Sequence, residues 1–150
     1  MMAARSYHTL NLTTIDLDTL VNVVDTARQR AANNTRWLHA IEQAYDFLLN
    51  PPTDTLQIAA DGTALIPSAT SSTTYSANGV CQCQAFAHHL PCWHRAAARL
   101  ITRYREELEA RADQLMHLVD AAEQRDDWAS WERLNQQWEA TEMKLAEVLR

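Results

Sequence analysis

The chain is 150 residues long, 47% hydrophobic and 21% charged, with a net charge of −6 at neutral pH. That suits one globular domain, or one domain with an appended helical element, and the acidic balance excludes a whole-surface attraction to nucleic acid. Three cysteines do not make a disulfide framework, and no run approaches the ~18 apolar residues of a membrane span.

Residues 1–12 show no period and no apolar stretch long enough for a signal peptide, so a loose arm is expected there. Thr13 and Asp16 are spaced as an N-terminal capping pair. Leu17, Leu20, Val21, Val24, Ala27 and Ala31 then recur at three and four, which predicts an amphipathic helix. After the break at Asn33-Asn34-Thr35, Trp37, Leu38, Ile41, Ala44, Tyr45 and Leu48 predict a second one. Asn50-Pro51-Pro52 stops it, because proline cannot continue the hydrogen-bond ladder. Residues 13–50 thus read as a helical pair.

Both glycines of the chain follow a turn former, in Asp61-Gly62 and Asn78-Gly79. Each predicts a tight type I′ hairpin turn. Leu56-Gln57-Ile58 and Ala64-Leu65-Ile66 flank the first; Thr73 to Ser76 and Val80 to Cys83 flank the second. Pro67 to Ser72 is a small polar connector. One small antiparallel sheet is expected from the two hairpins.

The second hairpin leads into Cys81-Gln82-Cys83, eight further residues, and Cys92-Trp93-His94, which holds every cysteine of the chain. Three thiols and one imidazole complete a tetrahedral zinc set. On a strand, Cys81 and Cys83 point to the same side. On a helix, residues two apart diverge by ~200°, so Cys92 must precede the helix that His94 begins, with Pro91 at its start. His88 and His89 are rival ligands. A closed four-ligand set is structural, since a catalytic zinc keeps one position open. With no nucleophile motif, phosphate-binding glycine loop or paired-carboxylate signature, the chain is expected not to be an enzyme.

From Ala97 through Leu100, Ile101, Tyr104, Leu108, Leu115, Leu118 and Val119, a long helix is predicted to about Glu123. Asp126-Asp127 breaks and recaps it. Trp128, Trp131, Leu134, Trp138, Leu145, Val148 and Leu149 mark a last helix. A short break between two long helices predicts an antiparallel hairpin over residues 102–150, with the tryptophans in its core. Residues 101–150 carry twelve acids and seven bases. The fold class is therefore α+β: N-terminal helices, small hairpins carrying a metal site over 55–101, and a C-terminal helical hairpin.

The spacing C-x-C, gap, C-x-H resembles the SWIM-type zinc finger. Tyr75 upstream, Phe86 in the gap, and Pro91-Cys92-Trp93-His94 before the apolar helix from Arg95 to Ile101 extend the likeness to about residues 73–101. The chain departs from the family in having His89-Leu90 before Pro91, where a glycine is common. The resemblance implies a zinc ion on Cys81, Cys83, Cys92 and His94. SWIM-like fingers occur in proteins that look like helicase-type ATPases, transposases, recombination mediators and ubiquitin-ligase components, so it also implies DNA or protein binding.

Arg95, Arg99 and Arg103 lie at i, i+4 and i+8 on the helix that His94 begins. They are the candidate phosphate-contacting edge; otherwise they form a solvated face, with Arg103 pairing to Glu107 and Arg105 to Glu109. The expected function is an accessory DNA-binding module that works with other proteins. The alternative is an adaptor that docks a protein partner, or a second copy, through the acidic C-terminal hairpin. Thiolate ligands persist in a reducing compartment, which points to the cytoplasm.

Overall fold

The computed structural model describes residues 5–149, and residues 1–4 of the expected arm lie outside them. The elements are β1 (Tyr7–Asn11), α1 (Leu17–Arg30), α2 (Thr35–Leu49), β2 (Thr55–Ala59), β3 (Ala64–Pro67), β4 (Thr74–Ala77), α3 (Gln84–Ala87), α4 (Trp93–Gln124) and α5 (Trp128–Leu149). The α+β architecture with a C-terminal helical pair is as expected. No helix of the described residues is long and apolar enough to cross a membrane.

Four strands form one antiparallel sheet in the order β1-β2-β3-β4. Its first strand corrects the expectation of a loose arm: Tyr7–Asn11 pairs with β2, with Leu10 opposite Leu56 and His8 opposite Ile58. Leu10, Leu56, Ile58, Ala64, Ile66 and Ala77 are buried on the core side, following the two-residue alternation of strands.

Asp61-Gly62 does turn β2 into β3, but not as a type I′ turn. Only Gly62 is left-handed, at φ 88°. Its N–H bonds Ala59 O at 3.0 Å and the Ala59 N–H bonds Thr63 O at 2.8 Å. This is the three-residue loop with glycine in the left-handed position. The second expected hairpin is replaced. β4 pairs with β3, with Leu65 opposite Ser76, and the connector before it closes through Ser68 N–H to Thr73 O at 2.8 Å. After Asn78-Gly79 the chain leaves the sheet instead of returning along it. The Asn78 side chain donates to Asp61 O at 2.9 Å and so fastens the two turns together.

Asp16, rather than a Thr13–Asp16 pair, caps α1: its carboxylate accepts from the Thr19 N–H at 3.2 Å. Thr13 sits in a short 3-10 turn capped by Asn11. α1 buries Leu20, Val23 and Val24, while Leu17 and Val21 are exposed, so its inward face is rotated from the expected one. α2 buries Ala40, Ile41, Ala44 and Leu48.

α4 is continuous for 32 residues, and the boundary expected between residues 101 and 102 lies inside it. It buries Ala97, Leu100, Ile101, Tyr104, Leu108, Ala112, Leu115, Val119 and Ala122, and along its length it meets α1, α2, β3, β4 and α5. Leu118 is exposed. Asp126, at φ 56°, breaks the helix, and the Asp127 side chain caps α5 by accepting from the Ser130 N–H at 3.2 Å. Of the tryptophans expected in the hairpin core, Trp138 packs on the core, but Trp128 is 57% exposed with Trp131 edge-on at 6.1 Å.

Candidate metal centre

One ligand atom from each of Cys81, Cys83, Cys92 and His94 lies within 4.8 Å of the others, and all four residues are buried. The donors come from three local structures. Cys81 and Cys83 lie in the irregular segment after β4, not on a strand as expected. Cys83 is the N-cap of the four-residue helix α3. Cys92 is the N-cap of α4, its sulfur accepting from the Arg95 N–H at 3.4 Å. His94 follows in the first turn, so the expected placement of Cys92 before the helix and His94 within it stands.

Burial is the main influence on each group. With the neighbouring thiols, it pushes the Cys81 thiol up to about 12. It also raises Cys92, in spite of the Arg95 N–H. At Cys83 burial again opposes the thiolate, but the Phe86 and Ala85 N–H groups and the other thiols outweigh it and hold Cys83 below the ordinary thiol value. Burial lowers His94, which favours the neutral ring. Both ring nitrogens of His94 are buried and have no hydrogen-bond partner among the described residues. A buried polar atom without a partner is costly, and a cation relieves that cost at one nitrogen while compensating the thiolates. Zinc bonds of about 2.3 Å to sulfur put tetrahedral donors roughly 3.8 Å apart, which this cluster accommodates. The residues therefore fit a metal ion.

His88 and His89 are exposed and stand outside the cluster. His89 has φ 57°, so the turn before Pro91 does pass through the left-handed region that glycine favours. Around the donors, Tyr75 meets the His94 ring edge-on at 4.8 Å, Trp93 lies 4.2 Å from it, and Phe47 packs 5.0 Å from Trp93. These rings pack beside the four buried donors.

The three arginines of the expected stripe have different surroundings. Arg95 is half-buried, its guanidinium 5.3 Å from the Trp37 ring and 5.0 Å from Phe86, with Nε buried and without a hydrogen-bond partner among the described residues. It is not part of a solvated edge, because those rings enclose it. Arg103 pairs with Glu106 at 2.8 Å rather than with Glu107. Arg105 does reach Glu109, at 3.9 Å, and also donates to Ala60 O at 3.2 Å. Arg99 and Arg103 line a cleft between α1, α2 and α4, together with Arg30. The sequence does not point to Arg30, and it marks Trp37 only as part of an apolar helix face, because nothing local to α1 or α2 shows that their ends meet α4. No protein-family model matches the chain, and neither a curated protein nor a solved structure matches it.

Proposed function

We propose that the protein is a non-enzymatic zinc-binding protein with a SWIM-type finger, serving as an accessory DNA-binding module alongside other proteins. The observation that supports it best is the buried set Cys81, Cys83, Cys92 and His94 with both His94 nitrogens orphaned. Three thiols and an imidazole favour zinc over harder cations. Four protein donors fill its tetrahedral shell, so zinc here organises the chain and does not activate water. The same helix carries Arg99, which among the described residues pairs with no carboxylate and can meet a phosphate.

Elemental analysis of reduced, natively purified protein tests the metal: one zinc per chain is expected, and a metal-free protein would remove the reading. Anisotropy of labelled DNA at about 50 and 200 mM salt tests the ligand, since phosphate contacts release counterions. Binding should weaken with salt, and Arg99→Glu should weaken it on all sequences alike, lowering the salt slope by ~1–2.

A second reading, an adaptor with purely structural zinc, is favoured by the exposed Trp128 and Met143 on α5. It gains if no DNA binds, or if Arg99→Glu binds DNA as the parent does, and if changes in α5 abolish capture of a protein partner.

A further inference from the structure

The cleft between α1, α2 and α4 has a volume of about 360 Å³, at the low end of the ~300–1,000 Å³ range of small-molecule sites. Val23, Ala27, Ile41 and Leu100 give it apolar walls, and Trp37 stands beside them. Arg30, Arg99 and Arg103 line it along with Glu106 and Glu107, which leaves a net positive charge in a chain whose total is −6. Arg103 is engaged by Glu106. Among the described residues, Arg30 and Arg99 reach no carboxylate. Two free guanidinium forks beside an apolar hollow match a ligand that is flat and apolar at one end and anionic at the other.

We infer that this cleft takes one nucleotide unit of a single-stranded nucleic acid, its base against the apolar walls and its phosphates on Arg30 and Arg99. The inference rests on the DNA-binding reading and adds which form of nucleic acid is held and where. In a duplex the base faces are stacked away, so a duplex reaches the arginines but not the hollow. An acidic peptide would set carboxylates against Glu107. A nucleotide of adenine, cytosine or guanine presents an amino group to that carboxylate and phosphates to the arginines, which suits the mixed charge of the lining.

The test uses the full chain, zinc-loaded, with one labelled oligonucleotide offered as a single strand and as its duplex. Arg30→Glu reverses an exposed charge, and Ala31→Phe fills the cleft from the end of α1. The single strand should bind about tenfold better than the duplex, and each variant should cost it about tenfold. A free mononucleotide should compete with it. Equal binding of both forms, untouched by Ala31→Phe, would overturn the cleft assignment while leaving DNA binding in place. If Ala31→Phe lacks the helical spectrum of the parent, Arg30→Glu decides alone: unchanged single-strand affinity overturns the assignment. Failure of both DNA forms to bind overturns the inference together with the reading beneath it, and binding of a labelled acidic peptide instead would identify the cleft as a protein site.

Discussion

The guanidinium of Arg95 stands over the ring of Trp37, 5.3 Å from its centre, and so ties the first turn of α4 to the first turn of α2. Phe86 of α3 is 5.0 Å away, which brings the metal-binding segment into the same stack. A cation over an aromatic face contributes roughly 0.5–2 kcal/mol, more where water is excluded. Arg95→Ala should therefore lower stability by about 1–2 kcal/mol, through the lost stack and the lost packing of the stem. Zinc content should be unchanged. Denaturant midpoints measure it, and an unchanged midpoint would make the stack incidental.

The two turn glycines differ in a way that their dipeptides do not reveal. At Gly62 an added Cβ would lie 2.8 Å from Thr102 Oγ1, on a backbone with φ 88°. At Gly79 it would meet nothing within 4 Å among the described residues. Gly62→Ala should cost more than ~1 kcal/mol, whereas Gly79→Ala should be neutral or add ~0.4–1 kcal/mol by restricting the unfolded chain. The thermal midpoint should fall for Gly62→Ala and hold or rise for Gly79→Ala; equal shifts would contradict the turn assignment.

Asp16 joins three parts of the molecule. Its side chain caps α1 and meets Lys144 at 3.2 Å and Arg111 at 3.9 Å, while its N–H donates to the Tyr104 hydroxyl at 2.8 Å. Burial opposes its charge, yet the Thr19 and Lys144 hydrogen bonds outweigh that and hold its carboxyl below the ordinary value. A depressed folded value means that the stabilisation is fully present above the unfolded pKa of about 3.9 and is lost as pH falls through the folded one. Asp16→Asn keeps a cap but cannot titrate. Its stability should therefore fall less than the parent's as acid is added below about pH 4, whereas Asp16→Ala should cost ~1 kcal/mol at neutral pH. Parallel pH profiles for parent and Asp16→Asn would contradict this.

What could be read without coordinates was whatever repeats locally. The faces of α2 and α4, the break at Asp126-Asp127 and the ligand spacing all depend on neighbours within a few residues. β1 could not be read, because Tyr7–Asn11 finds its partner only after two helices have intervened. Asn78-Gly79 misled for a related reason: the Asn78 amide serves the other turn, and the exposed Val80 starts a segment that leaves the sheet for the metal cluster. The arginine stripe has the right spacing, but its environment is set by Trp37, Phe86 and Glu106, two of which lie on other elements.

On the proposed zinc reading, chelation should disorder a segment and spare the rest of the fold. The cluster ties Cys81 and Cys83 to the start of α4, and without a cation three buried thiols and an orphaned imidazole remain. Structural zinc contributes about 10–16 kcal/mol in small finger peptides, which would unfold a chain that had nothing else. Here β4 is also paired with β3, and α4 is anchored independently by Leu100, Ile101, Tyr104 and Leu108. On chelation, amide protection should therefore collapse from about Val80 to Arg95, α3 and the Arg95 stack included. Protection in β2, β3 and the α4–α5 hairpin should persist. Cys92→Ser should reproduce this, because it removes a thiolate ligand while its hydroxyl still caps the Arg95 N–H, so that the loss reports on the metal alone. His88→Ala should retain zinc and protection, and His89→Gly should retain zinc while relieving a left-handed residue. Hydrogen exchange with and without chelator reads all of these. Complete unfolding on chelation would show that the sheet and helices depend on the metal, and loss of zinc in His88→Ala would move the fourth ligand away from His94.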